Sequence, residues 1–190
     1  MHKNFTVSNY LNQKKFLMEQ TNFKEFQKGI NMIESFYSKN KKIFTCGNGG
    51  SAHTASHYIT DWSKTVLLTT GKKFRGISLC DNLGLMTAYG NDISFLNIFS
   101  GQIDNLMDEG DLLVVVSCSG NSPNIIKAIE AARKAKGKVL GIVGYDGGKI
   151  KSLCDHSVWI KSFDMQLCED MHLMFGHMVM KKICKGSIKI

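Results

Sequence analysis

The sequence predicts an α/β fold: an open, doubly wound parallel sheet of about five strands flanked by helices, with a helical arm ahead of it. Three observations lead there. From residue 41 onward, short apolar runs alternate with longer stretches of helical periodicity. Several of those runs are β-branched and continuous rather than alternating, as expected of parallel strands covered on both faces. Finally, 18 glycines stand against one proline, a composition that suits tight turns between regular elements.

The arm comes first. Residues 8–40 place Leu11, Phe16, Met18, Phe23, Phe26, Ile30, Ile33 and Phe36 at roughly helical spacing, with a break near Thr21 that predicts two helices. Such an arm must bury its apolar face, often against a partner subunit. Strands are expected over 43–46, 76–80, 112–116, 139–143 and 158–160, and helices over 51–64, 83–89, 95–107, 123–136 and 165–185. No repeat, low-complexity tract or linker divides them, so residues 1–190 read as one domain, with 1–40 as arm and 41–190 as core. A chain of this length buries about 70% of its unfolded surface.

Composition narrows the setting. No run of 18 apolar residues is present and residues 1–12 are polar, so neither a membrane span nor a secretory signal is expected. The six cysteines form no CxxC pair and mostly sit in apolar runs, which reads as free buried thiols in a reducing, cytoplasmic compartment. A net charge of +8 suits an anionic substrate, although many of the lysines belong to solvated ends and loops. No RNA- or DNA-reading motif accompanies them, so no nucleic-acid partner is expected, and no membrane partner either. No dinucleotide fingerprint is present, so no organic cofactor is expected.

In doubly wound sheets, ligands bind where strands end and helices begin. Two strand ends here are unusual. The first is Cys46-Gly47-Asn48-Gly49-Gly50-Ser51, where three glycines allow close backbone approach and Ser51 is placed to cap a helix. It matches neither GxGxxG nor a P-loop, and a plain tight turn has the same composition. The second is Ser117-Cys118-Ser119-Gly120-Asn121-Ser122-Pro123-Asn124. Ser122 is placed as an N-cap, with the single proline at the favoured first helical position. Hydroxyls and backbone N–H groups gathered at a helix N-terminus form a neutral cradle of the kind that holds a phosphate; a capped helix with polar turn residues is the plainer alternative.

These two loops, together with Gly90-Asn91-Asp92 and a histidine-bearing last helix, resemble the phosphoheptose isomerases. Members of that family are SIS-domain enzymes that interconvert sedoheptulose 7-phosphate and D-glycero-D-manno-heptose 7-phosphate. The resemblance spans essentially the whole chain. It implies substrate contacts at Asn48, Gly49, Gly50, Ser51, Asn91, Asp92, Ser117, Cys118, Ser119 and Ser122. Cys118 stands where the family usually has threonine, exchanging a hydroxyl for a weak thiol donor.

Aldose–ketose isomerisation moves a proton between adjacent carbons through an enediol, and so needs a base for carbon and an acid for oxygen. The resemblance implies Asp61 and His177 as that catalytic pair. It implies a metal set of His57, Asp61, Glu169 and His177, with zinc as the metal and with Asp61 and Glu169 also meeting substrate. Asp61 replaces the family's glutamate and Glu169 its glutamine. His57 and Asp61 are four residues apart and share a helix face. Glu169 and His177 are eight apart, about 12 Å along a helix, so a shared metal requires their side chains to converge from opposite directions or to come from different subunits. His53, His156, Trp62 and Trp159 read as structural. Isomerisation of another sugar phosphate, and a non-catalytic SIS protein that senses a phosphosugar or binds a partner, remain alternatives. A homotetramer with active sites at subunit interfaces is the expected assembly.

Overall fold

The computed structural model describes residues 5–187; the first four residues of the arm and the last three of the core lie outside them. The arm is two helices, α1 (Val7–Gln20) and α2 (Phe23–Ser38), parted at Thr21 as its sequence predicts. Thr6 and Asn22 cap them, their side chains accepting from the backbone N–H groups of Asn9 and Lys24.

Five strands follow: β1 (Ile43–Gly47), β2 (Gly76–Ser78), β3 (Leu112–Ser117), β4 (Lys138–Val143) and β5 (His156–Trp159). All pair in parallel, in the order β2-β1-β3-β4-β5. Every residue of β1 and β3 is buried, which is why both read as unbroken apolar runs. Alternate side chains feed two cores. Ile43, Leu112, Val114 and Val116 meet the arm, α3 (Gly50–Thr60) and α9 (Met165–Ile183) on one face. Phe44, Leu113, Val115 and Val139 meet α6 (Ser100–Leu106) and α7 (Pro123–Lys134) on the other.

Some bounds differ from expectation for local reasons. The helix expected to stop at 64 continues through a π turn, Asp61–Thr65, into α4 (Val66–Thr70) and ends at Gly71 in the left-handed conformation. The helix expected over 95–107 is divided into a 3₁₀ turn, Phe95–Asn97, and α6. β2 is shorter than expected because the Ser78 hydroxyl accepts from the Cys80 N–H and turns the chain. Between β2 and that 3₁₀ turn lies α5 (Leu83–Asp92), three residues longer than expected. A short helix, α8 (Gly148–Leu153), has no counterpart in the sequence reading. Among the described residues, no helix is long and apolar enough to cross a membrane.

Candidate active site

The strand order reverses direction between β1 and β3, and the loops leaving these two strands are the two loops singled out above. Together they line a cleft of about 460 Å³. Asn48, Gly49, Gly50 and Ser51 face Ser117, Cys118, Ser119 and Ser122 across it, with Tyr145, Met165 and Glu169 completing the wall. A reciprocal amide pair ties the loops together: Asn48 and Asn124 each donate from Nδ2 to the other's Oδ1 at 2.8 Å. The Asn48 side chain is therefore engaged with the protein, and what it offers a ligand is chiefly its backbone. Asn124 is almost wholly buried and holds the cleft's width.

The second loop is also fastened to the one following β4. Gly120, at φ +63°, lies so close to Gly147 that a Cβ would stand 2.1 Å from its carbonyl oxygen, so only glycine fits. Gly120 N–H donates to Ser117 Oγ at 3.2 Å, and Asn121 N–H donates to Ser119 Oγ at 3.3 Å. Both serines keep their O–H protons for a ligand. Ser122 occupies the N-cap position of α7 as expected, yet its side chain makes no capping hydrogen bond. That hydroxyl is available to an anion. Ser51, by contrast, is not the cap of α3; Gly49 holds that position and Ser51 sits within the first turn, buried at the cleft. The Cys118 thiol is directed at the Met165 carbonyl, 3.9 Å away, and burial pushes its pKa up to about 12. It stays neutral and adds little to the donor set.

A second cluster lies where α3 packs on α9. Tyr58 donates its hydroxyl proton to the His172 carbonyl, and Trp62 Nε1 donates to the Gly176 carbonyl at 3.0 Å. The two rings stack at 4.8 Å in the core. This clamp brings His57 beside His177, with Nε2 atoms 3.1 Å apart. Asp61 Oδ2 lies 3.5 Å from the first and 3.8 Å from the second. Asp61 opens the π turn, a helix defect that recurs at functional sites because it re-aims the side chains that follow it. The imidazoles are 44% and 43% exposed and the carboxylate 23%, so the trio faces solvent from one side.

Three ligand atoms within 4.8 Å of one another suit a divalent metal. A tetrahedron with 2.0–2.1 Å bonds has edges of about 3.3 Å, close to the spacings here, and two imidazoles with one carboxylate leave a fourth position open. Glu169 does not join this group. It lies instead against the first loop, where a Cβ on Gly50 would stand 2.4 Å from its Oε1. The eight-residue separation on α9 explains the divergence: Glu169 reaches the cleft and His177 the α3 seam. Asn91 and Asp92 are also apart from the cleft, exposed at the end of α5, with Asn91 Nδ2 donating to Asp92 Oδ1 at 2.8 Å. A larger cleft of about 770 Å³ lies between α1 and the start of α9, and none of the loop or histidine-cluster residues line it.

Comparison with known proteins accords with this geometry. The SIS domain matches residues 9–144. A phosphoheptose isomerase from Nitratiruptor sp. is 37% identical over 165 residues, 85% of each chain. One from Fusobacterium nucleatum is 35% identical over 171 residues, 90% of this chain and 87% of that one. The chain belongs to the phosphoheptose isomerase family of SIS domains. The solved phosphoheptose isomerase of Neisseria gonorrhoeae superposes with a TM-score of 0.84 at 27% identity, covering 93% of this chain and 96% of that one.

Within this family framework, the serine loop, the glycine loop and the His57–Asp61 pair are where the sequence places them. Asn124 and Tyr145 were not anticipated as parts of the site. Asn124 lies inside the quoted serine motif, but its partner is 76 residues away. Tyr145 carried no sequence signal beyond following a strand. Ser119→Ala and Ser122→Ala are each expected to weaken phosphosugar binding about tenfold, since a charged phosphate loses a donor. Calorimetric titration checks this, and unchanged affinity in both variants places the phosphate elsewhere.

Proposed function

We propose that this protein is a ketose–aldose isomerase converting sedoheptulose 7-phosphate to D-glycero-D-manno-heptose 7-phosphate, for nucleotide-activated heptose and surface polysaccharide. The observation that carries this is two chemistries set along one helix, α9. A neutral hydroxyl and N–H cradle occupies the switch point, and an acid–base cluster lies two helical turns further along α9. That separation, about 12 Å along the helix, suits an extended phosphosugar held by its phosphate with the carbonyl end at the histidines. The cradle residues are Ser51, Ser117, Ser119 and Ser122 with the backbone of Asn48, Gly49, Gly50 and Cys118; Glu169 faces the sugar between the two ends.

Asp61 takes a proton from C1 of the ketose as the C1–C2 double bond of the enediol forms, and His177 gives a proton to the C2 oxygen. In the second half Asp61 returns a proton to C2, and His177 removes the proton from the C1 hydroxyl, leaving the aldehyde. His57, Asp61 and His177 would hold a divalent ion, zinc in our reading, which would supply electrostatic polarisation of the bound sugar, the protons being carried by atoms of Asp61 and His177 that the ion does not engage. The first test is incubation with sedoheptulose 7-phosphate with and without zinc, following aldoheptose by chromatography. Tight binding without turnover under both conditions means a phosphosugar sensor rather than an enzyme.

We further propose a cytoplasmic protein whose residues 1–190 act as one domain, assembled as a homotetramer with sites at subunit interfaces. In support, α5 buries none of its residues within the chain, and Leu83, Ile93 and Phe95 are more than 60% exposed there. Phe16 and Leu11 are similarly bare on the arm. Asn91 and Asp92 lie on this uncovered helix, where an interface would let them reach a neighbouring cleft. Sedimentation at micromolar concentration is expected to give four chain masses, and a sharp monomer overturns the assembly.

A further inference from the structure

The cleft asks much of neutral donors. Among the described residues no lysine, arginine or histidine lines it, Glu169 brings a carboxylate into it, and the Cys118 thiol is turned to a carbonyl. A phosphate there must be held by hydroxyls and N–H groups alone. Tyr145 is a hydroxyl-bearing lining residue outside the two loops, and its backbone is unusual. It adopts φ +46°, an uncommon and strained conformation for a bulky side chain, which persists only where the surroundings impose it.

The surroundings do so at three points. Tyr145 N–H donates to the Ser162 carbonyl at 3.0 Å, and its own carbonyl accepts from Trp159 Nε1 at 3.0 Å. Its ring stacks on Phe163 at a centroid distance of 5.4 Å and an angle of 25°. None of these contacts uses the phenol oxygen, which makes no hydrogen bond among the described residues. A residue that lines the cleft, is locked by both backbone groups and by its ring, and keeps its one strong donor unspent is arranged to meet a ligand.

We propose that Tyr145 is a phosphate-binding residue of the cleft, its hydroxyl donating to a phosphate oxygen and making up for the weak donor at Cys118. This rests on the phosphosugar reading above and extends it to a residue that neither loop motif contains. The test is calorimetric titration of the full chain with inorganic phosphate and with sedoheptulose 7-phosphate, comparing the parent with Tyr145→Phe and Tyr145→Asn. Phenylalanine keeps the ring and its stacking; asparagine tolerates the left-handed backbone without the ring. Both variants are expected to bind both ligands about tenfold more weakly, the usual size for a lost hydrogen bond to a charged group. If Tyr145→Phe binds inorganic phosphate as tightly as the parent, the inference fails while the cradle stands. If it loses affinity for the phosphosugar alone, the hydroxyl serves the sugar and the inference fails as stated. A parent that binds neither ligand overturns the cradle and this inference together.

Discussion

Replacing His177 with alanine, or Asp61 with asparagine, is expected to cut turnover of sedoheptulose 7-phosphate at least about a hundredfold. That is the usual size of a single acid–base contribution. Equilibrium binding of the phosphosugar is expected to change far less, because the cleft proposed to hold its phosphate is lined by neither residue. The converged trio sharpens the expectation. With His57 and His177 Nε2 atoms 3.1 Å apart and Asp61 Oδ2 within 3.8 Å of both, each substitution removes a ligand from a potential metal site as well as a proton carrier. A direct metal titration separates the two losses. Asp61→Asn retains a weak oxygen ligand and should bind zinc more weakly than the parent, whereas His177→Ala should lower the stoichiometry or abolish binding.

Asp61→Glu is the more discriminating change at that position. Asp61 keeps helical geometry with respect to His57, its N–H donating to the His57 carbonyl, and the π turn distorts the chain only from there onward. If the shorter side chain is merely a handicap, glutamate raises turnover. If the site is built around aspartate, the added length displaces the carboxylate by about 1 Å and can cost about a hundredfold. Comparable loss in kcat without weaker binding identifies the second case. Wild-type turnover from His177→Ala contradicts its assigned role.

The second large effect concerns acid stability. His172 lies on α9 between the two clusters and is fully buried, with neither ring nitrogen hydrogen-bonded. Burial lowers its pKa from 6.5 to about 4, a weak influence of the Val143 backbone opposing the shift. Its folded pKa lies below the unfolded one, so the neutral ring's contribution is fully present above pH 6.5 and is lost as pH falls toward 4. A shift from 6.5 to about 4 corresponds to roughly 3 kcal/mol, a large part of the 5–15 kcal/mol that typically holds a domain together. Denaturant titrations at pH 7 and pH 4.5 should show most of that loss in the parent. His172→Leu removes the titrating ring at similar volume and should flatten the difference. An equal slope in both proteins shows that other groups, such as the His156–Glu25 pair, govern the acid limb.

Much of the fold was legible because burial on both faces writes itself into composition. β1 and β3 are apolar throughout since helices cover both sides of the sheet. The serine loop was legible for a related reason: Ser122 and Pro123 mark a helix start whatever the tertiary context. The His57–Asp61 pair was legible through helical periodicity alone. Element ends were less so. The helix through Asp61 outran its expected bound because Trp62 docks on Gly176, 114 residues away, and the chain takes a π turn there. α8 was missed because six residues show too little periodicity to read.

By itself, then, the sequence determined the layer architecture, the two loops at the switch point, the family, and the residue types from which the site is built. These depend on local patterning, which a linear string records. Only the tertiary structure decided which of those residues meet. His57 and Asp61 find His177 because Tyr58 and Trp62 clamp α3 to α9, while Glu169, eight residues earlier on the same helix, is carried to the cleft instead. The Asn48–Asn124 tie and the orientation of Tyr145 likewise arise from contacts between segments distant in sequence. Such contacts depend on how helices pack across a sheet, and side-chain packing in three dimensions leaves no periodic trace in the order of the residues.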